Sequence, residues 1–138
     1  MNSNKEFCVK LIHCGNKNII NPKDQEQKNI FFMPMGLFPL ANELKKDGID
    51  VEIIHTDLQP NHNLHRLLHL DTIDAVGFDC HWVNESLVVL ETARALKQAN
   101  PHIYIFLGGF TASLFAQEII TNYSQVDASR ITLRMFSS

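Results

Sequence analysis

Short continuous apolar runs alternate along the chain with longer segments of helical period, the pattern that parallel strands and their crossover helices leave in a sequence. Phe7 to His13 is the first run and predicts a strand ending at Cys14-Gly15. A polar stretch rich in Asn, Lys and Gln follows from Asn16 to Asn29. It is long for a strand-to-helix connection, a length more typical of functional loops. Leu37, Leu40, Ala41 and Leu44 then recur at i, i+3, i+4 and i+7 and predict one face of a helix. Pro39 fits only in the first turn of that helix. Lys45 and Lys46 suit the negative end of its dipole, and Gly48 is placed to end it in a left-handed conformation. Val51 to His55 predicts the second strand.

Asn61 to Leu70 predicts a short helix with Leu64, Leu67 and Leu68 on one face, and Ala75 to Cys80 the third strand. From about Asn84 or Glu85 to Gln98 a long helix buries Val89, Leu90, Ala93 and Leu96, and Asn100-Pro101 stops it. Ile103 to Leu107 carries no polar side chain except the Tyr104 hydroxyl, as expected of a strand covered on both faces. Gly108-Gly109 closes this strand, and a helix follows from Thr111 or Ser113 to Asn122. A buried fifth strand is then due, but Ile131, Leu133 and Met135 alternate with polar or bulky neighbours. Ala128 to Ser138 therefore fits an edge strand or a tail. The prediction is an α/β, flavodoxin-like, doubly wound parallel sheet in three layers. It forms a single domain over 1–127, with an incomplete or irregular fifth strand and an atypical segment at 128–138.

Composition narrows the function classes. With 45% apolar and 20% charged residues in 138, the chain is an ordinary globular domain. The net charge of −3 includes no basic cluster, so nucleic acid is not an expected partner. The three cysteines, Cys8, Cys14 and Cys80, lack CxxC or CxxxCxxC spacing, so neither a disulfide framework nor an iron–sulfur cluster is expected. A reducing cytoplasm is the default compartment. Lys5, Glu6 and Lys10 interrupt the N-terminus before any secretory-type apolar stretch. The apolar-rich uncharged runs Asn29 to Asn42 and Ile103 to Gln117 fall short of the roughly 20 residues that span a bilayer, so no membrane span is expected.

Open parallel sheets bind ligands beyond the carboxyl ends of their strands. That rule selects Cys14 and Gly15 after strand one, Asp79 to Trp82 after strand three, and Gly108 to Thr111 after strand four. Paired glycines allow close backbone approach or simply a tight turn, while Thr111 and Ser113 offer hydroxyls or helix caps. No GxGxxG follows strand one, which disfavours a dinucleotide site. Asp79 stands where a phospho-acceptor domain has its aspartate, but His13-Cys14-Gly15 lacks the accompanying acidic pair. His62, His65 and His69 share a helical face with no carboxylate or cysteine to complete a ligand set, so a solvated face is the simpler reading. A hydrolase built on Asp79 and His81 lacks a nucleophile and an oxyanion arrangement.

Several motifs in order carry a family resemblance: Met33-Pro34-Met35-Gly36-Leu37, Val51-Glu52-Ile53-Ile54, Ala75-Val76-Gly77-Phe78, His81-Trp82, Ala93-Arg94-Ala95-Leu96-Lys97, Asn100-Pro101 and Leu107-Gly108-Gly109. Over Phe7 to Asp127 the chain resembles the cobalamin-binding domain that precedes the catalytic barrel in many radical S-adenosylmethionine enzymes. The resemblance implies a corrinoid across the carboxyl edge of the sheet. Gly108, Gly109, Thr111 and Ser113 would line its nucleotide tail, with Phe110 and Ala112 in the same turn, and Asp79, Cys80, His81 and Trp82 would face the corrin ring. Gly15, Pro34, Gly36 and Ser86 complete the implied cofactor contacts. The loop from Gly15 to Met35 contains no histidine, so no lower cobalt ligand is expected from it. The resemblance further implies a radical S-adenosylmethionine barrel as partner, in cis or in trans. Catalysis is not expected from this chain alone, which is read as a fragment, a truncated copy or a separate subunit. A vestigial interaction domain without cofactor is the competing expectation.

Overall fold

The structure, a computed structural model, describes residues 6–14, 36–56, 72–81, 83–129 and 132–133. Its sheet is built from β1 (Cys8–His13), β2 (Asp50–His55), β3 (Ala75–Asp79), β4 (Tyr104–Gly108), β5 (Ala128–Ser129) and β6 (Thr132–Leu133). The helices are α1 (Leu37–Lys46), α2 (Val83–Ala99), α3 (Phe110–Leu114) and α4 (Ala116–Asn122). Strand order is β2-β1-β3-β4-β5-β6, parallel from β2 through β5, with β6 antiparallel to β5. This is the doubly wound, flavodoxin-like arrangement. The chain steps outward from β1 to β2 and then returns to the far side of β1, so the switch in strand order lies between β1 and β3.

Residue alternation along the strands creates two apolar layers. Val9, Leu11, Val51 and Ala75 meet Leu37 and Ala41 of α1 on one face. Ile12, Ile54, Val76, Phe78, Ile105 and Leu107 meet Val89, Ala93 and Leu96 of α2 and Ile119 and Ile120 of α4 on the other. At about 25 cal/mol per Å² of apolar surface removed from water, this two-sided burial is the main favourable term in folding. Pro39 occupies the first turn of α1 and Gly48 takes φ +79 beyond its end, both as the sequence predicts. Leu40 departs from prediction. It lies largely exposed while Leu37, Ala41 and Leu44 turn inward, because the buried stripe of this 10-residue helix is narrower than its apolar pattern.

Two further expectations change. β4 is not covered throughout, since Tyr104 is 40% exposed at its start while Ile105 and Leu107 are buried. The single helix expected after Gly109 begins at Phe110 and is divided at Phe115, whose φ of −109 and ψ of 25 leave the helical region. The incomplete fifth strand is present as expected: Ala128 and Ser129 are buried inside the sheet and make up its whole length. Polar bonds hold it there. Asp127 donates its backbone N–H to the Ile105 carbonyl at 2.8 Å, while its carboxylate accepts from the Ile105 N–H at 2.8 Å and from Lys97 Nζ at 2.5 Å. Lys97 Nζ also donates to the Ile103 carbonyl, and Ser129 Oγ donates to the Ala112 carbonyl at 2.8 Å. The helix read at Asn61 to Leu70, with His62, His65 and His69, lies outside the described residues.

Because Asp127 satisfies a buried amide and a half-buried lysine together, Asp127→Ala strands both donors. Urea unfolding followed by circular dichroism is expected to show a loss of about 2–4 kcal/mol.

Candidate functional site

The carboxyl ends of β2, β1, β3 and β4 stand side by side and present His55, His13, Asp79 and Gly108 in that order. Strand register pairs His13 with His55 and Asp79 with Gly108. His13 Nδ1 lies 2.8 and 3.0 Å from the two oxygens of Asp79, and both side chains are buried, 9% and 6% exposed. The His13 and His55 rings are 4.7 Å apart, tilted by 54°. A polar row thus crosses the β1–β3 switch point, where this fold places its ligands. The sequence reading singled out Asp79 but treated His13 and His55 as strand ends. Only the strand order makes neighbours of residues 66 apart in the chain.

Next to the row, the turn after β3 is strapped to the turn after β4. The Cys80 N–H donates to the Gly108 carbonyl at 2.7 Å, and the Cys80 carbonyl accepts the N–H groups of Thr111 and Ala112 at 3.0 and 3.2 Å. Thr111 Oγ1 donates to the His81 carbonyl at 2.8 Å, and the Phe110 N–H donates to His81 Nδ1 at 3.3 Å. Gly109 has φ +103, and a Cβ there would lie 2.8–3.0 Å from the Cys80 backbone. Glycine is therefore required at 109. At Gly108 a Cβ would meet nothing within 4 Å, so its side faces open space.

These contacts decide what the turn offers a ligand. The first-turn amides of α3 are spent inside the protein, on His81, on Cys80 and, from Ser113, on the Gly109 carbonyl. They form no vacant anion cradle of the kind found at free helix N-termini. Instead the edge opens as a shallow groove of about 690 Å³ lined by His81, Gly109, Phe110, Ser113 and Leu114. Phe110 and Leu114 are strongly exposed, as are Val83 and Leu87 at the start of α2. The Ser113 hydroxyl donates to the Gly109 carbonyl at 2.7 Å and keeps its acceptor lone pairs.

Of the predicted residues, the structure brings together Asp79, Cys80, His81, Gly108, Gly109, Phe110, Thr111, Ala112 and Ser113 at one edge. Cys80, Thr111 and Ala112 lie buried beneath it. Gly36 joins them at the start of α1, where its would-be Cβ is 4.0 Å from His81 Nε2. Ser86 sits in the first turn of α2, its hydroxyl donating to the Val83 carbonyl. Gly15, Pro34 and Trp82 lie outside the described residues. The three cysteines are buried and outside any disulfide, and no cluster of three or more metal-ligating side chains occurs among the described residues. No described helix is long and apolar enough to cross a membrane.

Residues 31–132 match the family described as B12 binding domain. The chain belongs to the B12 binding domain family. Within it, 89 residues are 30% identical to the hopanoid C-3 methylase of Methylococcus capsulatus. The match covers 63% of this chain but only 17% of that enzyme, so this B12-binding domain corresponds to a small part of its relative. No solved structure matches.

Gly108→Ala and Gly109→Ala separate the roles of the two glycines. The first is expected to stay within about 1 kcal/mol of the parent in thermal unfolding. The second should lose about 2–4 kcal/mol from backbone strain and the collision with Cys80.

Proposed function

We propose that this B12-binding domain is a cobalamin-binding module that holds a corrinoid against the carboxyl edge of its sheet, without a histidine ligand from the loop after β1. The observation that carries this reading is the open groove lined by His81, Gly109, Phe110, Ser113 and Leu114 at the carboxyl edge, in a chain whose family is defined by B12 binding. The donor set fits such a group. A glycine facing open space lets a large ligand approach the β4 backbone, exposed Phe110 and Leu114 supply an apolar wall, and Ser113 supplies a polar contact.

Gly108, Gly109, Phe110 and Ser113 would line the nucleotide tail, with Thr111 and Ala112 holding the turn from below. Asp79, Cys80, His81 and Trp82 would form the side toward the ring, and Gly15, Pro34, Gly36 and Ser86 its margins. His81 is not a cobalt ligand in this proposal, because its Nδ1 already accepts the Phe110 N–H. A bound corrinoid supplies methyl-transfer or one-electron chemistry at cobalt. This chain's residues would hold and orient it at the carboxyl edge. The matched methylase extends far beyond the shared segment, which supports a further domain as partner. By the resemblance of the sequence motifs, that domain would be a radical S-adenosylmethionine barrel. Buried cysteines outside any disulfide accord with a reducing cytoplasm.

Titration with hydroxocobalamin is expected to give a one-to-one complex with a base-off visible spectrum that survives gel filtration. Gly108→Leu should fold normally yet bind at least about tenfold more weakly, since its side chain enters open space where the ligand lies, a loss of about 1.4 kcal/mol or more. No spectral change and no co-elution in the parent protein would sink the reading in favour of an interaction domain without cofactor.

A further inference from the structure

His81 is an exposed residue of the turn after β3, and it lines the groove together with Gly109, Phe110, Ser113 and Leu114. Its two ring nitrogens stand in different surroundings. We infer that His81 is a specificity-determining residue of the proposed corrinoid site, donating a hydrogen bond from Nε2 to a carboxamide oxygen at the margin of the corrin ring. This deepens the corrinoid reading above and rests on it.

The tautomer follows from the partner on the inner side. A backbone N–H can only donate, and that of Phe110 lies 3.3 Å from Nδ1, so Nδ1 is an acceptor and carries no proton. The ring proton then sits on Nε2. Among the described residues the bonds of His81 run through Nδ1 and the backbone carbonyl, to the Phe110 N–H and the Thr111 hydroxyl, and none engages Nε2. Nε2 lies beside the start of α1, where a Cβ built on Gly36 would be 4.0 Å away.

Ring and main chain of His81 are thus both tied to the turn after β4, which is itself strapped to Cys80. A donor on a ring held from behind loses little freedom when a ligand arrives, so its bond adds to affinity at small entropic cost. A fixed donor selects an oxygen acceptor. Nε2 emerges toward Gly36, the side that the corrinoid reading gives to the ring, whose margin carries carboxamide groups. The other acceptor of such a ligand, the phosphate of its nucleotide tail, belongs to the side of Gly108 to Ser113. A proton on Nε2 also leaves no lone pair there for cobalt, which agrees with a histidine that orients the ligand without ligating its metal.

Two substitutions separate the nitrogens. In His81→Asn an oxygen takes the place of Nδ1 and keeps the Phe110 bond, while the Nε2 donor is lost. In His81→Gln an amide donor reaches the place of Nε2, while the Phe110 bond is given up. Visible-absorbance titration with hydroxocobalamin measures affinity, and gel filtration of the same mixtures reports retention. His81→Asn is expected to keep the parent's thermal unfolding yet bind about threefold to tenfold more weakly, with His81→Gln within about twofold of the parent. Parent affinity in His81→Asn assigns His81 to holding the turn and overturns the inference, leaving the corrinoid reading intact. Where both variants bind weakly, or either fails to fold by circular dichroism, nitrogen NMR of the labelled parent, read through the ring's carbon-bound protons, decides. Nε2 is expected to be the protonated nitrogen and to shift more than Nδ1 on loading with methylcobalamin. A ring proton on Nδ1, or an unmoved Nε2, overturns the inference.

Cobinamide keeps the ring carboxamides but lacks the phosphate and nucleotide, so it distinguishes the two acceptors. The penalty of His81→Asn is expected to be the same for it as for hydroxocobalamin. A penalty confined to hydroxocobalamin moves the contact to the tail and overturns the assignment to the ring. Where cobinamide binds too weakly to titrate, the Nε2 shift of the parent at saturating cobinamide decides the same point. Absence of retention of both ligands in the parent overturns this inference and the corrinoid reading together.

Discussion

The contact on which the functional edge depends is the approach of the Cys80 backbone to Gly109. At 2.8–3.0 Å from a would-be Cβ, and with φ +103, the position admits glycine without strain and little else. That approach lets the Cys80 carbonyl reach two amides of α3 and lets the His81 carbonyl take the Thr111 hydroxyl. The turns after β3 and β4 consequently behave as one unit. Had the α3 amides been left open, the edge would resemble an anion site. With them spent on Cys80 and His81, the edge offers a groove and exposed apolar side chains in place of an anion cradle.

That row is placed by topology. β1 is the point from which the chain departs in both directions, and His13 at its end touches Asp79 on one side and His55 on the other. A buried carboxylate and two imidazoles are costly to hold in a sheet edge. They stand together at the switch point, where strand order brings the ends of β2, β1 and β3 side by side. At the opposite end of the sheet Asp74 and Asp127 accept backbone N–H groups and tie strands together, a structural use of the same side chain.

Much of the architecture was legible in order. The apolar-rich runs Phe7 to His13, Val51 to His55, Ala75 to Cys80 and Ile103 to Leu107 fall within a residue or so of the observed strands, because short β-branched and apolar runs between polar turns are local signals, even where Lys10 and Glu52 interrupt them. Gly48 and Pro39 were equally readable, since their backbone limits are local. The break at Phe115 was not, because Ala112, Ala116, Ile119 and Ile120 keep helical spacing across it. An incomplete fifth strand was readable, but what holds it was not, since Ala128 and Ser129 are held by Asp127, Lys97 and the Ala112 carbonyl rather than by an apolar pattern of their own.

By itself the sequence determined the alternation of strand and helix, the glycine-bearing turns where a ligand is expected, and the absence of a histidine between Gly15 and Met35. These follow from periodicity and from the conformational limits of single residues. Only the tertiary structure decided that Gly109 is bound to the fold while a side chain at Gly108 would meet open space, and that His13, His55 and Asp79 form one buried row. Pairing across parallel strands is fixed by strand order and register, and neither is a local property of the chain.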